Sequence, residues 1–194
     1  MANKLVSGTS VGLIIILAYM LSFGIVNTII LPVQTAALPK ISTYAAVVFL
    51  PHGVRVLATW LYREKALIPL LIAHIIMYRL FYWHGDDTAG NMVAVLSGSF
   101  CAFIALQLFN FSRIDLSLSN LSISHWRTLI FFGFTASIFN ALGNILAFGS
   151  AVSSELHVSV IITFIIGDTF GTAACLLILM LILRLRRLYA QVKP

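Results

Sequence analysis

Apolar residues gather along the chain into six long runs separated by short polar breaks, at 11–31, 41–62, 66–83, 89–109, 128–148 and 158–183. Each run approaches or exceeds the ~20 residues that a helix needs to cross a ~30 Å hydrocarbon core. Helices cross lipid singly because they satisfy their own backbone hydrogen bonds. The pattern predicts an all-α polytopic membrane bundle of about six transmembrane helices, forming one domain over residues 1–194. The second run is the least regular. Pro51 lacks an amide hydrogen and frees a carbonyl one turn back, and Gly53 loosens the backbone, so this helix is expected to break or turn around Leu50 to Gly53.

Composition points the same way. The chain is 60% hydrophobic and only 9% charged, with a mean hydropathy of +1.02, whereas a soluble domain is about 25% charged. A soluble fold of this length must show much of its surface to water, and a lipid bilayer partner removes that demand. The net charge of +6 does not point to nucleic acid, because the basic residues are scattered between apolar runs rather than gathered in a stripe. They sort by side instead. With six spans, Lys4, Arg63, Lys65, Arg113, Arg127, Arg184, Arg186, Arg187 and Lys193 share one side, and only Lys40 and Arg79 lie opposite. That asymmetry predicts both termini in the cytoplasm of a bacterial inner membrane. Trp60, Tyr62 and Trp126 fall at inner ends of the runs, and Tyr78, Tyr82 and Trp83 at an outer end, where amphipathic rings favour the interface. The run after Lys4 exceeds the 7–15 apolar residues of a signal peptide, so an uncleaved first helix is expected. The longest loop, 110–127, is expected to be a partly ordered cytoplasmic segment, and no heptads, repeats or output domain are expected elsewhere.

The few polar residues inside the runs carry the functional information. A charge at the bilayer centre costs about 2.5–3.5 kcal/mol, and such residues usually face the bundle interior. Asp168 lies about ten residues into the last run, near mid-depth. It must be paired, protonated or hydrated, either as a lock for a basic partner or as a ligand or proton site. Gly167 and Gly171 are four apart and permit close approach of another helix, while Thr172 can share the face of Asp168. In the second run, His52 and Arg55 are three apart on one face, roughly 15 Å and 10 Å from the cytoplasmic end. A contact of Asp168 with Arg55 or His52 is expected, the alternative being that Arg55 snorkels to the headgroups. His74 lies at a comparable depth in the third run, and Asn140 and Asn144 share a face of the fifth. Candidate binding or buried polar residues are therefore Asp168, Arg55, His52, His74 and Thr172, with Gly167, Gly171, Pro51 and Gly53 as packing residues.

Cys101 and Cys175 lack C-x-x-C spacing and read as small packing residues. No Walker loop, nucleophile elbow, H-E-x-x-H or metal-binding cysteine set occurs, so neither an enzyme nor a cofactor or metal is expected.

The segment from Phe49 to Ala58, with its aromatic-x-Pro51-x-Gly53 order, resembles the corresponding segment of MASE-type bacterial membrane sensor domains. Gly167-Asp168-x-x-Gly171 is similar to that family's motif in its last helix. The resemblance implies a sensory or ligand-binding membrane module that binds a small ligand and signals through a separate cytoplasmic or membrane partner. Two other classes stay open: a small-solute transporter or substrate-binding subunit, which a broken helix with a mid-depth carboxylate suits, and a structural partner subunit.

Overall fold

The computed structural model describes residues 8–37, 46–81, 89–116, 126–149 and 153–192, and every regular element in them is helical. Lys4, Lys40, Tyr82, Trp83 and residues 117–124 of the long loop lie outside the described residues. Helix α1 (Gly8–Ile25) runs through a π-turn (Val26–Ile30) into α2 (Leu31–Ala37). The widening has a cause in Pro32, which cannot donate to the carbonyl one turn back. Asn27 and Thr28 turn their side chains onto the carbonyls of Phe23 and Gly24, at 3.0 and 2.8 Å. Then come α3 (Leu50–Tyr62), a 3-10 turn (Arg63–Ala66), α4 (Leu67–Phe81), α5 (Ala89–Phe111), α6 (Trp126–Phe148) and α7 (His157–Val192).

Among the described residues, four helices are long and apolar enough to cross a membrane, at 8–37, 90–111, 126–148 and 154–190. Helices α3 and α4 have 13 and 15 described residues and fall short of that length, so four spans are shown and the expected six are not confirmed. In the second run, residues 46–49 are not helical and 41–45 lie outside the described residues. The expected break at Pro51 to Gly53 is instead a helix start. Leu50 opens α3 and Pro51 sits in its first turn, where an amide hydrogen is not needed. The last run is only part of a longer element, since α7 has 36 residues, about 54 Å at 1.5 Å per residue.

The shortest of the large helices is the most enclosed. Pro51, His52, Gly53, Arg55, Val56, Ala58, Thr59 and Trp60 of α3 are all buried, and α3 packs against α1, α5, α6 and α7. It therefore belongs to both apolar cores. Val56 and Trp60 join Ala102, Leu106, Phe109, Leu129, Phe132 and Leu176 in one, while Ala58 joins Ile15, Tyr19, Leu70, Ala73 and Met77 in the other. The outer faces of α1, α4 and α6 carry Leu21, Ile68 and Leu146 at 67, 71 and 82% exposure. An all-round apolar exterior suits lipid and would be costly in water.

Small residues set how closely α7 is approached. The element lying on Gly167 and Gly171 is the irregular stretch before α3 rather than a helix: the carbonyl oxygens of Ala46 and Phe49 occupy the space that Cβ atoms would take. The amide of Phe49 donates to the Gly167 carbonyl at 2.9 Å, and that of Val47 donates to Oε1 of Gln34 at 2.7 Å. Non-helical backbone inside a bundle thus finds partners within the protein. A Cβ on Gly53 would meet Cys175 and the Gly171 carbonyl, so α3 and α7 touch through their glycines on both sides.

Helix α5 ends in a Schellman turn. The amide of Ile114 donates to the Phe109 carbonyl and that of Arg113 to the Asn110 carbonyl, with Arg113 at φ 58°. The chain then returns Leu116 to the bundle, where its carbonyl accepts the indole N–H of Trp60 at 2.9 Å. Trp60 is only 8% exposed, a buried donor packed within the bundle. Trp126, by contrast, is 42% exposed and lies under the guanidinium of Arg127.

Candidate ligand site

Three helices bring their polar residues to one point. Asp168 lies at the start of the fourth turn of α7, Arg55 and His52 in the first half of α3, and Asn140 in the middle of α6. Arg55 and Asp168 are each 1% exposed and His52 is fully enclosed. Nη2 of Arg55 is 3.8 Å from Oδ1 of Asp168, and Nδ1 of His52 is 3.1 Å from Oδ2. Asp168 thus meets both of the residues expected as its partners, and Arg55 turns inward and does not snorkel.

Asn140 sits between the charges. Its Nδ2 donates to Oδ2 of Asp168 at 2.7 Å and its Oδ1 accepts from Nη1 of Arg55 at 3.1 Å. Nη1 also donates to the Gly98 carbonyl at 2.9 Å and lies 3.7 Å from Sγ of Cys101. The guanidinium stands over the ring of Phe49, 5.6 Å from its centre, which adds a cation–π attraction. Asn144 supports the bridge from one turn on, donating to the Asn140 carbonyl at 2.8 Å. Gly98 is a glycine for a local reason, because a Cβ there would press on Nε2 of His74 and Nη1 of Arg55.

The histidines play separate parts. His52 donates from Nε2 to the Gly133 carbonyl at 3.0 Å, which leaves Nδ1 as the atom beside Asp168. Nδ1 is not aligned for a hydrogen bond. His74 donates from Nδ1 to the Leu70 carbonyl at 3.2 Å, and its Nε2 accepts the phenol hydrogen of Tyr19 at 2.8 Å. The carbonyl on Nδ1 and the phenol on Nε2 assign the tautomer of His74, whereas both nitrogens of His52 face acceptor oxygens. Thr172 does not reach the carboxylate. Its hydroxyl folds back to the Asp168 carbonyl at 3.0 Å, and its side chain packs against Gly133.

A cavity of about 610 Å³ opens beside this cluster. Arg55, His74, Asn140 and Asp168 line its inner part, while His52 and Thr172 stand behind it. It extends past Phe23, Phe49, Met77, Val95 and Phe164 to Leu31, Tyr78, Asn91 and Phe148, close to the ends of their helices. The lining is mainly apolar with a few convergent polar groups, the usual make-up of a small-molecule site. Nε and Nη2 of Arg55 and Oδ1 of Asp168 are buried without a hydrogen-bond partner among the described residues. No group of three metal-ligating side chains occurs among the described residues.

Asn140 was visible in the sequence as an intramembrane amide, but its bridging role was not. Tyr19 carried no signal beyond a single phenol inside an apolar run. The carbonyls of Gly98 and Gly133 cannot be read from side-chain chemistry at all. Comparison with protein-family models, with curated proteins and with solved structures found no match.

Proposed function

We propose that this chain is an integral membrane module of the sensor type, which binds a small molecule in the cavity beside Arg55 and Asp168 and signals through a separate partner. The observation that carries the reading is a mainly apolar cavity whose inner end is lined by the polar residues Arg55, His74, Asn140 and Asp168. Helix α3 couples such a site to the rest of the molecule, because the helix that carries Arg55 belongs to both cores. The two MASE-like segments, around Pro51 and Asp168, are the ones that meet here, which supports the same class. In this reading the chain crosses a bacterial inner membrane about six times, with α3 and α4 completing the count, both termini are cytoplasmic, and the cavity mouth faces away from the cytoplasm.

The test is thermal stabilisation of the purified chain in mild detergent by a collection of small molecules. Compounds that raise the unfolding midpoint of the wild type, but not that of Ala94→Phe, in which a ring fills the cavity, support the reading. A collection without any such compound refutes it. A transport reading is favoured by one observation, the start of α3 within the bundle after irregular backbone, as in the discontinuous helices of transporters. Solute uptake by cells that is lost in Asp168→Asn would select it.

A further inference from the structure

We infer that the bundle binds a proton, held between Nδ1 of His52 and Oδ2 of Asp168 and shared by the two side chains. The inference stands on the contacts of one ring and needs no molecule in the cavity. His52 is fully enclosed, and each of its nitrogens lies against an oxygen. Nε2 is 3.0 Å from the Gly133 carbonyl, and Nδ1 is 3.1 Å from the carboxyl of Asp168. A neutral imidazole has one N–H and one lone pair. With its hydrogen on Nε2, the lone pair of Nδ1 faces Asp168; with its hydrogen on Nδ1, the lone pair of Nε2 faces the carbonyl. Beside an ionised carboxylate, either tautomer presses two acceptors together where water cannot intervene, and an unmade hydrogen bond is costly there.

One additional proton satisfies both contacts. Placed on Nδ1, it makes an imidazolium that donates to Gly133 and to Asp168. Placed on Asp168, it makes an acid whose O–H donates to Nδ1 while Nε2 still donates to the carbonyl. The contact at Nδ1 is bent, but its length lies within the range of N–H···O bonds. A proton between groups this close belongs to the pair and not to either residue. A second distance points the same way. Charge-assisted pairs free to close do so to about 2.7–2.9 Å, yet Nη2 of Arg55 stops 3.8 Å from Oδ1 of Asp168. The guanidinium turns instead to the Gly98 carbonyl, Oδ1 of Asn140 and the face of Phe49. Asp168 thus stands nearer to the imidazole than to its opposite charge.

The neighbouring titratable groups are engaged elsewhere. His74 of α4 is held by Tyr19 of α1 and the Leu70 carbonyl, Cys101 of α5 turns to the Gly98 carbonyl, and Cys175 of α7 turns to the Leu50 carbonyl. Helix α6 presents Gly133 and Asn140, neither of which titrates. The proton joins three helices, because His52 belongs to α3, Gly133 to α6 and Asp168 to α7. Its loss sets lone pair against lone pair at that joint, so proton binding and the packing of these helices are coupled.

The experiment counts protons on the pair in the full chain, in mild detergent at neutral pH. Nitrogen NMR of isotope-labelled histidine shows which ring nitrogens of His52 carry hydrogen, its signals being those missing from His52→Gln. Carbon NMR of labelled aspartate shows whether the Asp168 carboxyl is protonated, its signal being the one missing from Asp168→Asn. Where a variant does not fold, sequential backbone correlations in the wild type assign the same signals. Two protons are expected on the pair. They appear as N–H on both nitrogens beside an ionised Asp168, or as N–H on Nε2 beside a protonated Asp168, and the spectra tell which. One proton, seen as a single N–H and a bare nitrogen beside an ionised carboxylate, overturns the inference, and so do three. The count does not depend on whether any compound stabilises the chain, so this inference and the ligand-binding reading stand or fall separately.

Discussion

Asn140 donates to Asp168 at 2.7 Å and, through the other end of the same amide, accepts from Arg55. One uncharged side chain therefore fixes the positions of two opposite charges that do not themselves hydrogen-bond. The direction of the amide is settled by chemistry, since the reversed rotamer would set its N–H₂ against the guanidinium and its oxygen against the carboxylate.

Replacing Asn140 with Leu keeps the branched outline of the side chain and removes both bonds. Hydrogen bonds to charged groups contribute about 1.5–3 kcal/mol each, and both charges would lose a partner in a site with little water. Asn140→Leu is expected to destabilise the chain by about 3 kcal/mol, and Asn140→Asp by more, because a second carboxylate would face Asp168. Unfolding by a denaturing detergent monitored by circular dichroism measures both; a loss below about 1 kcal/mol would show that the bridge is not structural.

The ion pair itself is tested by a double-mutant cycle. Asp168→Ala leaves a guanidinium buried without its counter-charge, which typically costs about 3–5 kcal/mol. A pair replaced on both sides by apolar residues of similar volume is far better tolerated. Arg55→Met combined with Asp168→Leu should therefore be more stable than either single variant. Strict additivity of the two losses would show that the charges, 3.8 Å apart, do not interact energetically.

Glycines of α1 and α7 should respond in opposite directions to a methyl group. At Gly171 the added Cβ would run into the carbonyl of Phe49, which is backbone and cannot step aside without moving the start of α3. Gly171→Ala is expected to cost about 2–3 kcal/mol or more. Gly24 has nothing within 4 Å of the equivalent position, and Gly24→Ala should stabilise by up to about 1 kcal/mol through helix propensity alone. The two midpoints measured side by side decide the matter; similar behaviour would contradict the packing described between α3 and α7.

Arg113 holds the left-handed position of the Schellman turn after α5, at φ 58°, where a side chain is strained and glycine is not. Arg113→Gly should raise stability by about 0.5–1 kcal/mol, read as a higher unfolding midpoint. It should also leave the Trp60–Leu116 hydrogen bond intact, as judged by unchanged tryptophan fluorescence. A destabilised variant would mean that the arginine side chain contributes more than its backbone strain costs.

The amino-acid sequence by itself determined the helical, membrane-embedded character of the protein, because a chain with so few charges and such long apolar runs has only lipid to face. It also singled out Asp168, Arg55 and His52, since a charged or polar group inside an apolar run must find a partner and few were on offer. It did not reveal that the second run is helical only from Leu50, that Gly167 and Gly171 receive an irregular backbone segment, or that Tyr19 is paired with His74. Apolar content reports that a residue avoids water and not whether its backbone is helical, so 46–49 read like any other part of a span. Which helices meet, and which atoms of Arg55 and Asp168 are buried without a hydrogen-bond partner, were decided only by tertiary packing. Those relationships depend on distances between residues far apart in the chain and on backbone carbonyls that every residue shares, and neither is written in the order of side chains.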